Sequence, residues 1–135
     1  MEEKLIKKLM TAILAKELQF NEGVRESFVV ENDGNVKHRI EYFVNNTMYD
    51  YSDDKKTLYG KPTLDQLKEW IKNKFNIEVS VKGDNEYFFM IDTNKSISFS
   101  THSFSTHEDA LEEGLIAAMN IIKKRKRNHL DSFLY

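Results

Sequence analysis

Five consecutive cations, Lys123, Lys124, Arg125, Lys126 and Arg127, are the residues of this chain whose type and spacing most openly suggest chemistry. Such a run neutralises phosphates, so it fits contact with nucleic acid or with an acidic partner. Its place in the chain offers a plainer account. The same amphipathic segment opens with Glu108, Asp109, Glu112 and Glu113, and a helix macrodipole favours acid at its start and base at its end. The dipole account is the ordinary reading. Nucleic-acid binding through the run, with Lys4, Lys7 and Lys8 nearby, is the alternative.

Other reactive residue types are sparse or badly spaced. With no cysteine, disulfides, thiolate metal sites and cysteine nucleophiles are excluded together. Four histidines, His38, His102, His107 and His129, include no pair at helical i, i+4 spacing, and no acidic ladder has calcium-loop spacing. They read as surface or capping residues, and no metal is expected. The hydroxyl-rich stretch 96–106 contains no G-x-S-x-G elbow, and neither a phosphate loop nor a dinucleotide fingerprint occurs. Asp53-Asp54 and Glu112-Glu113 are neighbours in sequence, which on a helix points them apart. No catalytic residue and no cofactor is therefore expected. An enzyme remains a third hypothesis, for a site built from residues that meet only in space.

Two apolar features fit partner contact instead. If Tyr87, Phe89 and Ile91 face the helices, strand alternation turns Phe88 and Met90 to the other face, beside Ser80, Ser98 and Ser100. Those two side chains either pack under the N-terminal hairpin or form a contact surface. The chain end, with Leu130, Phe133, Leu134 and Tyr135, is unusually apolar. It either docks onto its own domain or exchanges with a second copy.

The elements that position these residues follow from periodicity. Leu5, Ile6, Leu9, Met10, Ile13 and Leu14 recur at helical spacing over residues 2–19, with Asn21-Glu22-Gly23 as a stop. Residues 27–31 and 36–44 flank Asn32-Asp33-Gly34-Asn35 and read as a hairpin. Residues 45–61 read as a long loop, within which 48–51 could add a short strand. Pro62-Thr63 with Gln66 announces a second helix whose stripe is Leu64, Leu67, Trp70, Ile71 and Phe75. Strands at 77–82, 87–91 and 96–100 form a meander. Overlapping capping boxes at Ser105 and Thr106 start the last helix, with Ala110, Leu111, Leu115, Ala118, Ile121 and Ile122 on one face. Gly114 sits inside that stripe, which fits close packing against a neighbour or a groove for a ligand or second subunit.

The fold class expected is α+β: an antiparallel sheet with an α-β-β-β-α C-terminal half, preceded by a helix and a β-hairpin. One domain is expected over residues 1–135, made of 1–61, a unit at 62–128 and an apolar tail at 129–135. A chain of 135 residues with 40% hydrophobic and 12% aromatic composition is long and apolar enough to bury a core. A net charge of −2 attracts no nucleic acid or membrane globally. No apolar run approaches a membrane span, and the charged N-terminus is unlike a signal peptide, so a cytoplasmic location is expected.

In topology alone, the α-β-β-β-α order resembles double-stranded RNA-binding domains. Those domains carry lysines at the start of the last helix, where this chain has Thr106-His107-Glu108-Asp109. A second resemblance rests on Pro62-Thr63-Leu64, Leu67, Trp70-Ile71, Phe75-Asn76-Ile77, Thr106, Asp109-Ala110-Leu111-Glu112, Gly114-Leu115 and Ala118, together with Leu14-Ala15-Lys16-Glu17-Leu18-Gln19-Phe20. This pattern is similar to small uncharacterised phage and prophage-type proteins of gut bacteria. That resemblance implies a mobile-element accessory protein, one that binds an unidentified host or phage protein or a small ligand. It supplies no catalytic residue to carry over; the hydropathy gives no membrane partner, and the Phe88/Met90 surface and apolar chain end leave homodimerisation open.

Overall fold

A computed structural model describes the backbone of residues 3–31, 33–43 and 56–134, and side chains over 3–31, 33–37, 57, 59–61 and 62–127. Its elements run α1 (Glu3–Glu17), β1 (Val24–Glu31), β2 (Val36–Phe43), β3 (Lys56–Lys61), α2 (Leu64–Phe75), β4 (Glu78–Lys82), β5 (Phe88–Asp92), β6 (Ile97–Phe99) and α3 (His107–Leu134). This is an α+β chain. It gathers into two compact units, Met1–Thr63 and Leu64–Tyr135, and their boundary falls two residues past the 61/62 division expected from sequence.

In the first unit an antiparallel sheet of order β2-β1-β3 packs against α1. The hairpin forms as expected: the Gly34 amide donates to the Glu31 carbonyl, the Glu31 amide donates to the Asn35 carbonyl, and Gly34 adopts a φ of 89°. Asp33 braces the turn by accepting from the Asn35 amide at 2.9 Å. Residues 56–61 are a strand rather than part of a loop. Glu26 pairs with Lys61 and Glu31 with Lys56 in register, and the cross-strand ion pair of Glu26 with Lys61 spans 3.5 Å. Sequence reasoning missed this strand because it is short, contains Gly60 and gains its hydrogen bonds only from β1. The strand expected at 48–51 lies outside the described residues.

Two details of α1 differ from expectation. Its buried residues are Thr11, Ala12, Leu14 and Ala15, while Ile6 and Met10 are exposed. Apolar residues occupy more than one side of this helix, and the sheet covers only one of them. The helix also closes four residues before Gly23. The Phe20 amide donates to the Ala15 carbonyl and the Gln19 amide to the Lys16 carbonyl, with Gln19 at a φ of 67°. Those two bonds are a Schellman closure, and the fully buried Phe20 ring anchors it. A left-handed non-glycine residue costs about 1–2 kcal/mol. Gln19→Gly is therefore expected to stabilise the chain by about 1 kcal/mol, after the entropy that glycine loses on folding. Urea unfolding followed by far-ultraviolet circular dichroism measures the change, and a destabilised variant would contradict this account of the helix end.

The second unit carries a separate sheet of order β4-β5-β6, so the N-terminal hairpin does not extend it. Helices α2 and α3 pack against each other, and both contact β4, with α3 also lying along β5. Leu67, Ile71, Ile77, Val79, Ile91, Leu115 and Met119 are fully buried between them. The cap choice at α3 is settled by one bond: the Asp109 amide donates to Thr106 Oγ1 at 3.0 Å, which makes Thr106 the capping residue. α2 closes through Asn76, whose φ is 57° and whose amide donates to the Lys72 carbonyl.

Gly114 is where α3 meets the sheet most closely. A methyl group added there would lie 2.8 Å from Val79 Cγ1 and 2.9 Å from Phe89 Cβ. Close packing accounts for this glycine; no groove opens at it. At the far end, α3 continues through Leu134. The segment 129–135, expected as a tail, is helical to that residue because no glycine or proline interrupts residues 115–134. Tyr135 and the side chains of Leu130, Phe133 and Leu134 lie outside the described residues. No helix among the described residues is long and apolar enough to cross a membrane.

Candidate functional site

The face of the second sheet turned away from α3 is set by register. β4 and β5 pair antiparallel, with Glu78 opposite Asp92, Ser80 opposite Met90 and Lys82 opposite Phe88. β5 and β6 pair with Met90 opposite Phe99, Ile91 opposite Ser98 and Asp92 opposite Ile97. Directly opposed residues share a face. Phe89 and Ile91 point to α3, as the Phe89 contact at Gly114 and the burial of Ile91 require. Phe88 and Met90 therefore occupy the opposite face, as expected from alternation.

Ser80 stands opposite Met90 as expected, but the neighbours on β6 are not those expected. Ser98 and Ser100 fall on the α3 side, and Ile97 and Phe99 stand beside Met90 instead. The turn between β5 and β6 decides this. The Thr93 amide donates to the Ser96 carbonyl, Asn94 takes a φ of 70°, and the Asn94 amide donates to Asp92 Oδ1. A shift of one residue in that turn would exchange the two sets, because side chains alternate with a period of two. The Ser100 hydroxyl accepts from the Phe89 amide at 3.3 Å, which helps to hold the register.

The outcome is a more apolar surface than the sequence suggested. Phe99 is 62% exposed, Ile97 58% and Phe88 37%, with the half-buried Met90 between them. Ser80 Oγ is shielded among its neighbours and makes no hydrogen bond. Charge is distributed unevenly along β4: Glu78 and Asp92 sit across from each other at one end, and Lys82 sits at the other.

A second feature lies where the end of α2 meets α3. Trp70 and Phe75 meet edge to face at 5.3 Å. Lys74 Nζ stands 5.3 Å from the Trp70 ring and 5.8 Å from the Phe75 ring, and Lys126 Nζ stands 5.7 Å from the Phe75 ring. Lys124, Arg125, Lys126 and Arg127 are all exposed, and Lys123 is half-buried. The dipole account of this run fails on the length of the helix. Seven further helical residues follow Arg127, whereas the dipole acts within the last turn.

The remaining candidates have local roles. His102 packs on Phe104 at 4.8 Å, and His107 meets the Tyr87 ring at 6.1 Å beside the first turn of α3. Tyr87 and Phe104 exchange backbone hydrogen bonds, which tie the loop before α3 to the start of β5. Glu112 is buried while Glu113 is half-buried, so the adjacent pair does point apart. Among the described residues no three histidine or carboxylate side chains gather as a metal site. An open groove of about 340 Å³ is lined by Asp65, Lys68, Glu69, Lys72, Asn73, Glu78 and Val79, a mixed-charge surface. His38 and His129 have side chains outside the described residues.

Comparison of the chain with protein-family models, with curated proteins and with solved structures finds no match in any of the three.

Proposed function

We propose that this chain is a non-enzymatic accessory protein of a phage or mobile element that binds a protein partner through the open face of β4, β5 and β6, and that the partner is a second copy of the chain. The mobile-element part rests on the resemblance carried by residues 62–77 and 106–118. The binding part rests on one observation: Phe99, Ile97 and Phe88 are exposed together around Met90 on one face. Contiguous exposed apolar surface of this kind marks interaction sites in soluble domains.

Charge supports the choice of partner. Two copies packed face to face about a two-fold axis perpendicular to the strands lay β4 over β4 in opposite directions. Lys82 of each copy then meets the Glu78 and Asp92 end of the other, while Met90 and Phe99 stack near the axis. The like-charged Glu78–Asp92 pair, which is unfavourable within one sheet, gains a cation in the assembly. The apolar patch is on the order of a few hundred Å², below the ~800 Å² per partner of a standard interface, so the association is weak and concentration-dependent.

Sedimentation velocity from about 1 to 500 µM tests this, a range that spans weak association. The wild-type chain is expected to shift from monomer to dimer across it. A variant with Ile97→Lys and Phe99→Lys is expected to stay monomeric with an unchanged circular dichroism spectrum. Lys82→Glu weakens the dimer, and adding Glu78→Lys to it restores association. A wild-type chain that stays monomeric throughout refutes the reading.

A further inference from the structure

We infer that the part of α3 carrying Lys123, Lys124, Arg125, Lys126 and Arg127 is a binding site for double-stranded DNA, seated in the major groove and gripping phosphates without reading sequence. The site is separate from the open sheet face, and it stands whether or not the chain pairs with a second copy.

The first support is what the helix does beyond the core. Ile122 is the last buried residue of α3 among the described side chains, which run to Arg127, and the backbone stays helical for the twelve residues after it. Twelve residues span about 18 Å. Over residues 124–127, all of them exposed, successive side chains leave the helix in every direction. The sequence from Gly114 to Leu130 contains no carboxylate, and Asp131 follows only after the run. The macrodipole does not account for them either, because the run ends seven residues before the helix does.

The second support is how the charges are arranged. Consecutive residues on a helix stand about 100° apart, so five cations in a row encircle it. A flat anionic membrane meets a helix along one side and would leave half of that charge unused. An acidic partner helix or strand would do the same. A groove walled by two phosphate backbones meets a helix on both flanks. The major groove of B-form DNA, about 12 Å wide, admits an α-helix of 10–12 Å diameter, whereas the deep, narrow major groove of double-stranded RNA does not.

The third support is a second element at the same place. Lys74, in the last turn of α2, and Lys126, on α3, approach the same Phe75 ring at 5.8 and 5.7 Å. Lys72, also exposed, lies in that last turn of α2. The end of α2 thus adds the Lys74 cation beside the basic segment of α3, at a position suited to the phosphates flanking the groove. No such convergence was visible in the sequence, where Lys74 and Lys126 are more than fifty residues apart.

Fluorescence anisotropy with a labelled 20-base-pair DNA duplex, an RNA duplex of equal length and a single DNA strand tests the inference, with the full chain in a salt series. Duplex DNA is expected to bind most tightly, with a slope of log K against log salt of about −4 to −5 for roughly five phosphates. A variant with Lys124→Gln, Arg125→Gln and Arg127→Gln keeps Lys126 on Phe75, so its fold is preserved. That variant is expected to lose about 100-fold in affinity at low salt and about three units of the slope. Lys74→Gln is expected to cost a further, smaller factor. Three results overturn the inference: no binding to duplex DNA at low salt, binding that the triple variant does not weaken, or RNA duplex or anionic vesicles bound as tightly as DNA. An unchanged far-ultraviolet circular dichroism spectrum confirms that each variant is folded.

Discussion

Gly114→Val is expected to destabilise the second unit by about 3 kcal/mol or more, and Gly114→Ala by about 1 kcal/mol. Two effects oppose each other in the alanine variant. Removing a glycine from a helix interior contributes about 1 kcal/mol of stability. Against it, the new methyl group would sit 2.8 Å from Val79 Cγ1 and 2.9 Å from Phe89 Cβ, both nearer than carbon atoms tolerate. Neither neighbour can swing aside: Val79 is a stiff β-branched residue in β4, and Phe89 Cβ is one bond from the backbone of β5. Helix and sheet must therefore separate, and overpacking of a tight core costs about 1–3 kcal/mol. Valine adds two more methyl groups and its own restricted rotamers, so the cost rises. Urea unfolding followed by the fluorescence of Trp70, the sole tryptophan, reads this unit directly. An alanine variant more stable than the wild type would show that α3 can lift from the sheet at little cost.

Gly83→Ala is expected to cost about 3 kcal/mol, for a different reason. Gly83 ends β4 at a φ of 114°, outside the conformations that residues with a side chain adopt. A Cβ there would also collide with the Glu86 carbonyl oxygen. Strain and collision act together, so the connection from β4 to β5 has to reopen. Gly34→Ala is the matching control. Its φ of 89° is also positive, but an added Cβ meets nothing within 4 Å, so only the conformational penalty of about 1–2 kcal/mol applies. Equal losses at both positions would contradict this distinction. Trp70 fluorescence reports the Gly83 variant, and far-ultraviolet circular dichroism reports the Gly34 variant in the first unit.

Much of the fold was legible because it is local. The stripe Leu67, Trp70, Ile71 needs only the 3.6-residue period, and the Thr106 cap needs only a hydroxyl three residues before the Asp109 amide. The alternation in β4 and β5 placed Phe88 and Met90 on one face correctly. What could not be read was which residues lie across from them. Ile97 and Phe99 join Met90 because a four-residue connection with Asn94 in a left-handed conformation sets the register. A sequence shows two alternating strands but not the offset between them, and the offset decides which alternate set is exposed.

The same limit explains α1 and the basic run. Ile6 and Met10 carry the same helical period as Leu14, yet periodicity cannot say which of several apolar sides a sheet will cover. Residues 123–127 were legible as charge, but the meaning of that charge depended on where α3 ends and on Lys74 arriving beside Phe75. By itself the sequence determined the α+β class, the positions of the three helices among the described residues apart from the far end of α3, five of the six strands described, and the residue types available for contact. These depend on short-range propensity, capping and period. Tertiary structure alone decided the division into two sheets, the edge strand β3, the apolar content of the open face and the convergence of α2 with the basic segment. Each of those depends on hydrogen bonds or contacts between residues far apart in the chain, whose energies no local window contains.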